Sequence, residues 1–157
     1  MIAANPNDIE ATYWLGQTLI KTNNVPAAKA LYEKALTASA NAPLVIVGMG
    51  QVELMQNKIS EARQRFETAI TMTSGKKGGD PQVLNAVGYA ITSVYTDKEK
   101  KGDINYAVEK LKEASLLKTK DTWLAADIWV NLGDAVRKAN PGQGGGEAYT
   151  DYQKAMK

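Results

Sequence analysis

The sequence contains no cysteine and no histidine. No disulfide can form, so the redox compartment is left open. The usual zinc ligands are absent, and so are the thiol nucleophile and the imidazole base on which much enzyme chemistry rests. An excess of one charge is also missing. Lys plus Arg number 19 and Asp plus Glu 17, a net charge of +2 with both signs interspersed. That balance gives no electrostatic reason to expect a nucleic-acid or membrane partner. No run approaches the roughly 20 apolar residues that a membrane span needs. Residues Met1 to Asp8 lack the basic and apolar regions of a secretory leader. What remains is an apolar content of 44% over 157 residues, ordinary for a folded soluble chain. The lack of cysteine fits a bacterial periplasm slightly better than a cytoplasm, and the compartment is otherwise open.

Internal repetition is the strongest positive signal. Gly16 and Gly50 lie 34 residues apart, and so do Ala28 and Ala62, Tyr32 and Phe66, Ala35 and Ala69, and Asn23 and Asn57. The pattern recurs with insertions. Gly88 and Gly133 carry the apolar-Gly pair forward, and Ala107, Leu111, Ala114 and Ala148, Tyr152, Ala155 carry the second half. The added residues fall near Gly75–Asp80, Thr96–Lys101, Thr119–Thr122 and Asn140–Gly146.

Each unit reads as two helices. Trp129, Leu132, Val136 and Ala139 share helical spacing in a first half; Ala28, Leu31, Tyr32, Ala35 and Leu36 form an amphipathic stripe in a second. The spacing predicts helices over 8–21, 25–38, 43–56, 59–73, 81–99, 103–118, 122–139 and 146–157. The β-prone run Leu44-Val45-Ile46-Val47 falls inside the third by register. Asn23, Asn57 and Gly102 stand where a chain leaving a helix turns left-handed. Asp80, Asp103 and Asp121 read as N-caps. Gly16, Gly50, Gly88 and Gly133 each cost helix propensity, about 1 kcal/mol relative to Ala. Close approach of the second helix at Ala28, Ala62, Ala107 and Ala148 is the expected compensation, with Tyr32, Phe66, Leu111 and Tyr152 filling the space beside them. The helix over 81–99 is expected to run past its neighbours and project, forming a lip with the Gly-rich loop after Pro141.

The motif resembles the tetratricopeptide repeat (TPR) family, whose repeat is 34 residues long. Trp129-x₂-Leu132-Gly133 matches the family's first helix and Ala62-x₃-Phe66 its second. Glu53 departs from it, standing where the family usually has Tyr, and Gly48 adds a second weak point to that helix. The resemblance covers nearly the whole chain and implies an all-α fold, a right-handed α-α superhelix of about four repeats. These are 9–42, 43–76, 81–119 with an insertion, and 122–157 with a Gly-rich loop, forming a single array. The sequence at both ends is what an excerpt of a longer bacterial array would show.

Other motifs give way to structural readings. The Gly-rich stretches 75–79 and 142–146 lack the Gly-x₄-Gly-Lys-Ser/Thr of a phosphate loop. Asp97 to Glu109 resembles a calcium loop, but Lys101 and Val108 occupy ligand positions. The Lys98, Lys100, Lys101 cluster and the Glu109/Glu113 pair, beside Lys110 and Lys112, read as solvated charged surface. Trp14, Trp123 and Trp129 are assigned to packing. No catalytic, metal-binding or cofactor-binding residue is expected.

The resemblance implies a non-catalytic scaffold that holds another protein or a peptide on the concave surface lined by the first helices. Register places Tyr13, Gln17, Lys21, Val47, Gln51, Met55, Asn85, Tyr89, Thr92, Val130, Asp134 and Arg137 there. The Lys and Asn pair with which some family members clamp chaperone tails is missing: Tyr13 and Gln17 stand in its place, and Val47 and Gly48 in the next repeat. Self-assembly of arrays within a larger complex is the alternative. Neither nucleic acid nor membrane insertion is implied.

Overall fold

Apolar residues at helical spacing account for the helices, and side-chain caps close the N-termini of five of them. The computed structural model describes residues 8–75, 79–96, 101–142 and 145–156. These form α1 (Ile9–Lys21), α2 (Val25–Ala38), α3 (Pro43–Met55), α4 (Ile59–Thr73), α5 (Pro81–Val94), α6 (Ile104–Leu116), α7 (Thr122–Ala139) and α8 (Gly145–Ala155), with no strand among the described residues. Asp8, Asn24, Asp80, Asp103 and Asp121 each accept a hydrogen bond from a first-turn N–H. Pro26, Pro43 and Pro81 sit in the first turns of their helices, where no backbone donor is needed. Asn23 and Asn57 adopt φ of 60° and 62°, and Gly102 adopts 92°, the left-handed conformation expected at those three turns.

The helices group into two compact units, Met1–Thr73 and Ser74–Lys157. In the first, α1 packs on α2, α3 packs on both, and α4 packs on α3. Helix α3 is therefore surrounded, and every residue from Leu44 to Leu54 is buried. That explains how a β-prone run lies in a helix: an element covered on all sides is apolar all round. In the second unit α5 packs on α6 and α7, α6 on α7, and α7 on α8.

The compensation for the helix glycines differs from the expectation. The bulky residue, rather than the alanine, occupies the space. A Cβ at Gly16 would overlap the Tyr32 ring, and one at Gly48 would lie 2.5 Å from the same ring. Phe66 stands in this relation to Gly50, Leu111 to Gly88 and Tyr152 to Gly133. Tyr32 is thus wedged between two first helices, and Gly48 is a seat for the preceding hairpin's tyrosine.

The projecting helix is overturned. Helix α5 ends at Val94, and Tyr95 is extended with φ −77° and ψ 123°. The Lys138 ammonium on α7 donates to the carbonyls of Thr92 at 2.6 Å and Tyr95 at 2.8 Å. It neutralises the electronegative end of α5 where the helix would otherwise continue. Residues 97–100, on which most of the calcium-loop and lysine-cluster readings fall, lie outside the described residues, as do 76–78 and 143–144 of the Gly-rich stretches. Helix α7 ends at Ala139, immediately before Asn140-Pro141-Gly142.

Candidate protein-binding face

The inner-face set divides by burial. In the first unit Tyr13, Gln17, Val47 and Gln51 are buried, Met55 is half-buried and Lys21 is exposed. Two of these residues are brought into contact: Gln17 Nε2 donates to Gln51 Oε1 at 2.6 Å. The same amide reaches the Tyr32 hydroxyl at 3.4 Å, and that hydroxyl donates to the Tyr13 carbonyl at 3.0 Å. Burial holds the Tyr32 phenol well above the ordinary tyrosine range. Gln17 Oε1 and Thr12 Oγ1 are buried with no hydrogen-bond partner among the described residues. This part of the set is packed polar interior linking α1, α2 and α3.

In the second unit Asn85 and Thr92 are buried, while Tyr89 and Asp134 are partly covered. Val130, 41% exposed, and Arg137 face solvent. Thr92 Oγ1 donates to the Gly88 carbonyl within its own helix at 2.7 Å. Asn85 Nδ2 donates to Asp127 Oδ2 at 2.7 Å, and Asn131 Nδ2 donates to Asn85 Oδ1 at 3.0 Å and to Asp127 Oδ2 at 3.1 Å. Asp127 and Asn131 escaped the sequence reading. The available signal was their spacing of four residues on one helix face beside the predicted Val130 and Asp134. Asp134 Oδ1 accepts from the Tyr152 hydroxyl at 2.7 Å and from Arg137 Nη2 at 3.4 Å. The Tyr152 hydroxyl and the Asp134 carboxylate together hold the Arg137 guanidinium above its usual range. Burial and that carboxylate raise the Tyr152 phenol.

The tryptophans correct the sequence reading. Trp129 is partly covered, but Trp14 is 51% exposed and Trp123 85% exposed, so neither of the latter two is a core residue. Trp14 meets the Tyr13 ring edge-on at 5.2 Å between centroids. Glu53, the family's departure, pairs at 2.6 Å with Arg65 of α4, while its Oε2 has no partner among the described residues. Lys110 bridges Glu109 and Glu113 at 3.0 and 2.8 Å.

Chemically, the second unit's face offers amide, carboxylate, guanidinium and apolar contacts in a row. Among the described residues, no group of three or more acidic side chains is placed to hold a metal ion. No helix among them is long and apolar enough to cross a membrane.

Helix hairpins, the first two in a 34-residue register and the later two with insertions, each with a bulky second-helix residue seated on a first-helix glycine, define an α-helical repeat protein. The fold is that of the tetratricopeptide repeat. No protein-family model matches the chain. It is 36% identical over 55 residues to Tetratricopeptide repeat protein 1 of Schizosaccharomyces pombe, a match spanning 35% of this chain and 5% of that protein. Among solved structures it is similar to a double mutant of MamA from RS-1, with a TM-score of 0.53 and 17% identity, over 96% of this chain and 76% of that one. It is also similar to YrrB, described as a TPR protein with an unusual peptide-binding site, with a TM-score of 0.47 and 21% identity, over 97% of this chain and 83% of that one.

Proposed function

We propose that the chain is a non-catalytic scaffold that holds another protein or a peptide on the inner face of its first helices. The observation that carries this reading is the row Asn85–Asp127–Asn131 continued by Val130, Asp134 and Arg137. It combines interlocked hydrogen-bonding groups with an exposed apolar side chain and an exposed guanidinium. Such a mixture suits a polypeptide, which presents amides, carboxylates and apolar side chains together. Of the inner-face set, Tyr89, Val130, Asp134 and Arg137 make the contacts, and Lys21 and Met55 are the accessible members on the first unit. Tyr13, Gln17, Val47, Gln51, Asn85 and Thr92 lie beneath and hold the face rigid. The test is a cross-linked capture read by mass spectrometry, comparing the wild type with Val130→Glu and Arg137→Glu. A partner that both variants lose, at unchanged circular dichroism, supports the reading. A partner retained by both refutes it.

A second reading is favoured by one specific observation. Trp14 and Leu15 are exposed on α1, whereas Gly48 and Met49 at the same register positions of α3 are buried. An uncovered apolar face of this kind suits assembly with another helical repeat. Sedimentation of the wild type against Trp14→Glu separates the two readings: an oligomer that dissociates on substitution supports self-assembly, and a strict monomer favours the scaffold.

A further inference from the structure

The inner face of the second unit reaches further along α7 than the repeat register placed it. Trp123, Asp127, Val130 and Asp134 follow one another at helical spacing, so their side chains leave α7 on one side. Val130 and Asp134 belong to the expected set; Trp123 and Asp127 extend it towards the helix N-terminus. Both are exposed, Trp123 at 85%. An indole left in water on a face that otherwise carries the polar row marks an interaction surface rather than packing.

Asp127 is held in place without being neutralised. Its Oδ2 accepts from the Asn85 amide of α5 at 2.7 Å and from the Asn131 amide of α7 at 3.1 Å. Both asparagines are buried, and two helices therefore fix the orientation of the carboxylate. Its Oδ1 accepts from no group, and no lysine or arginine pairs with it, among the described residues. Further along α7 the Arg137 guanidinium is spent on Asp134. Amide donors satisfy hydrogen bonding but leave the negative charge. The Trp123 ring is open in the same sense: it meets no other ring and no cation among the described residues. Trp129, by contrast, carries the Lys154 ammonium 4.2 Å from its ring centroid.

A polypeptide lying across this face takes water from the Asp127 carboxylate. A charge covered without a counter-charge weakens binding, whereas a positive group brought by the partner restores it. We infer that Trp123 and Asp127 form a specificity subsite for a cationic side chain of the partner, arginine or lysine, with Val130 taking an apolar side chain beside it. The cation donates to Asp127 Oδ1 and lies against the indole one helical turn away, where the ring face attracts positive charge. The subsite rests on the scaffold reading, whose face it extends, and gives that face a preference for basic segments.

The experiment selects random peptides displayed on phage against the full chain and measures the affinity of a selected peptide by fluorescence anisotropy. The wild type is expected to enrich sequences with arginine or lysine close to an apolar residue. Asp127→Asn keeps an acceptor for the asparagine amides and removes the charge; it should weaken a selected peptide about tenfold and erase the basic enrichment. Trp123→Ala should weaken it about threefold, and Asp127→Lys should turn the preference towards acidic peptides. Both side chains are exposed, so circular dichroism should be unchanged. Basic peptides bound equally by the wild type, Asp127→Asn and Trp123→Ala overturn the inference, and so do selected peptides without basic residues. If such peptides are nevertheless lost on Val130→Glu, the scaffold reading stands and only the subsite falls. If no peptide is selected, or all survive Val130→Glu and Arg137→Glu, both fall.

Discussion

Gln17 on α1 and Gln51 on α3 stand 34 positions apart and are joined at 2.6 Å through their side-chain amides, both buried. The repeat period is thus expressed as a hydrogen bond between equivalent positions of neighbouring hairpins. Removing one partner leaves the other in a low-dielectric interior. Gln17→Leu is therefore expected to lower stability by about 1–3 kcal/mol, whereas Gln17→Leu with Gln51→Leu should recover much of that loss. Denaturant titration of the two single variants and the double variant measures the difference. Losses that simply add would show that the bond has no coupling.

The glycines divide into two classes that substitution can tell apart. Gly48→Ala drives a methyl group into the Tyr32 ring, which is itself fixed through the Tyr13 carbonyl. A loss of about 1–3 kcal/mol is expected, with a lowered Tm. Gly146 lies in α8 with nothing within 4 Å of an added Cβ. Gly146→Ala should raise stability by about 0.5–1 kcal/mol through helix propensity alone. A destabilised Gly146→Ala would contradict this division.

Tyr32 makes stability fall at alkaline pH. Its phenol titrates higher in the folded chain than in the unfolded one because burial disfavours the charged form. The folded state then binds more protons than the unfolded state above the unfolded value of about 10, so the slope of stability with pH is negative there. The contribution is fully present below about pH 10 and is lost as pH rises beyond it. Tyr32→Phe should flatten that decline while lowering stability at neutral pH by about 1 kcal/mol through the lost hydrogen bond to Tyr13. Urea titrations between neutral and strongly alkaline pH give both quantities.

Lys138 ends α5 from another helix. Lys138→Met keeps most of the aliphatic stem and removes the charge that the Thr92 and Tyr95 carbonyls accept from. The expected loss is about 1–2 kcal/mol. It should appear locally, as faster hydrogen exchange in the last turn of α5 around Ile91–Tyr95, before it appears globally. Unchanged exchange in that turn would remove Lys138 as the cause of the helix end.

Glu53 and Arg65 form a pair of unequal members, with the carboxylate nearly buried and the guanidinium partly in water. Because solvent screens the arginine, the coupling in a Glu53→Gln, Arg65→Gln cycle should be modest, about 1 kcal/mol. Arg65→Gln alone is expected to cost more than that, since it leaves a buried carboxylate without its counter-charge.

The sequence by itself determined the helices and their pairing. The 34-residue recurrence of Gly, Ala and a bulky residue, together with Asp caps and left-handed Asn turns, is local information, written within a few residues of each feature. Seven of the eight helix spans follow from it to within about two residues. The span of α5 was overextended: no local signal marks Val94 as an end, and the group that meets the last carbonyls of α5 is Lys138, far along the chain. Which residue seats each glycine was equally a tertiary matter: Ala28 and Tyr32 both fall on the buried stripe, and only packing puts the tyrosine ring against Gly16 and Gly48. The candidate site was less legible than the fold. Register assigns a residue to a face, but burial depends on what lies over that face. Gln17 and Gln51 are covered while Arg137 is open, although the three share one pattern.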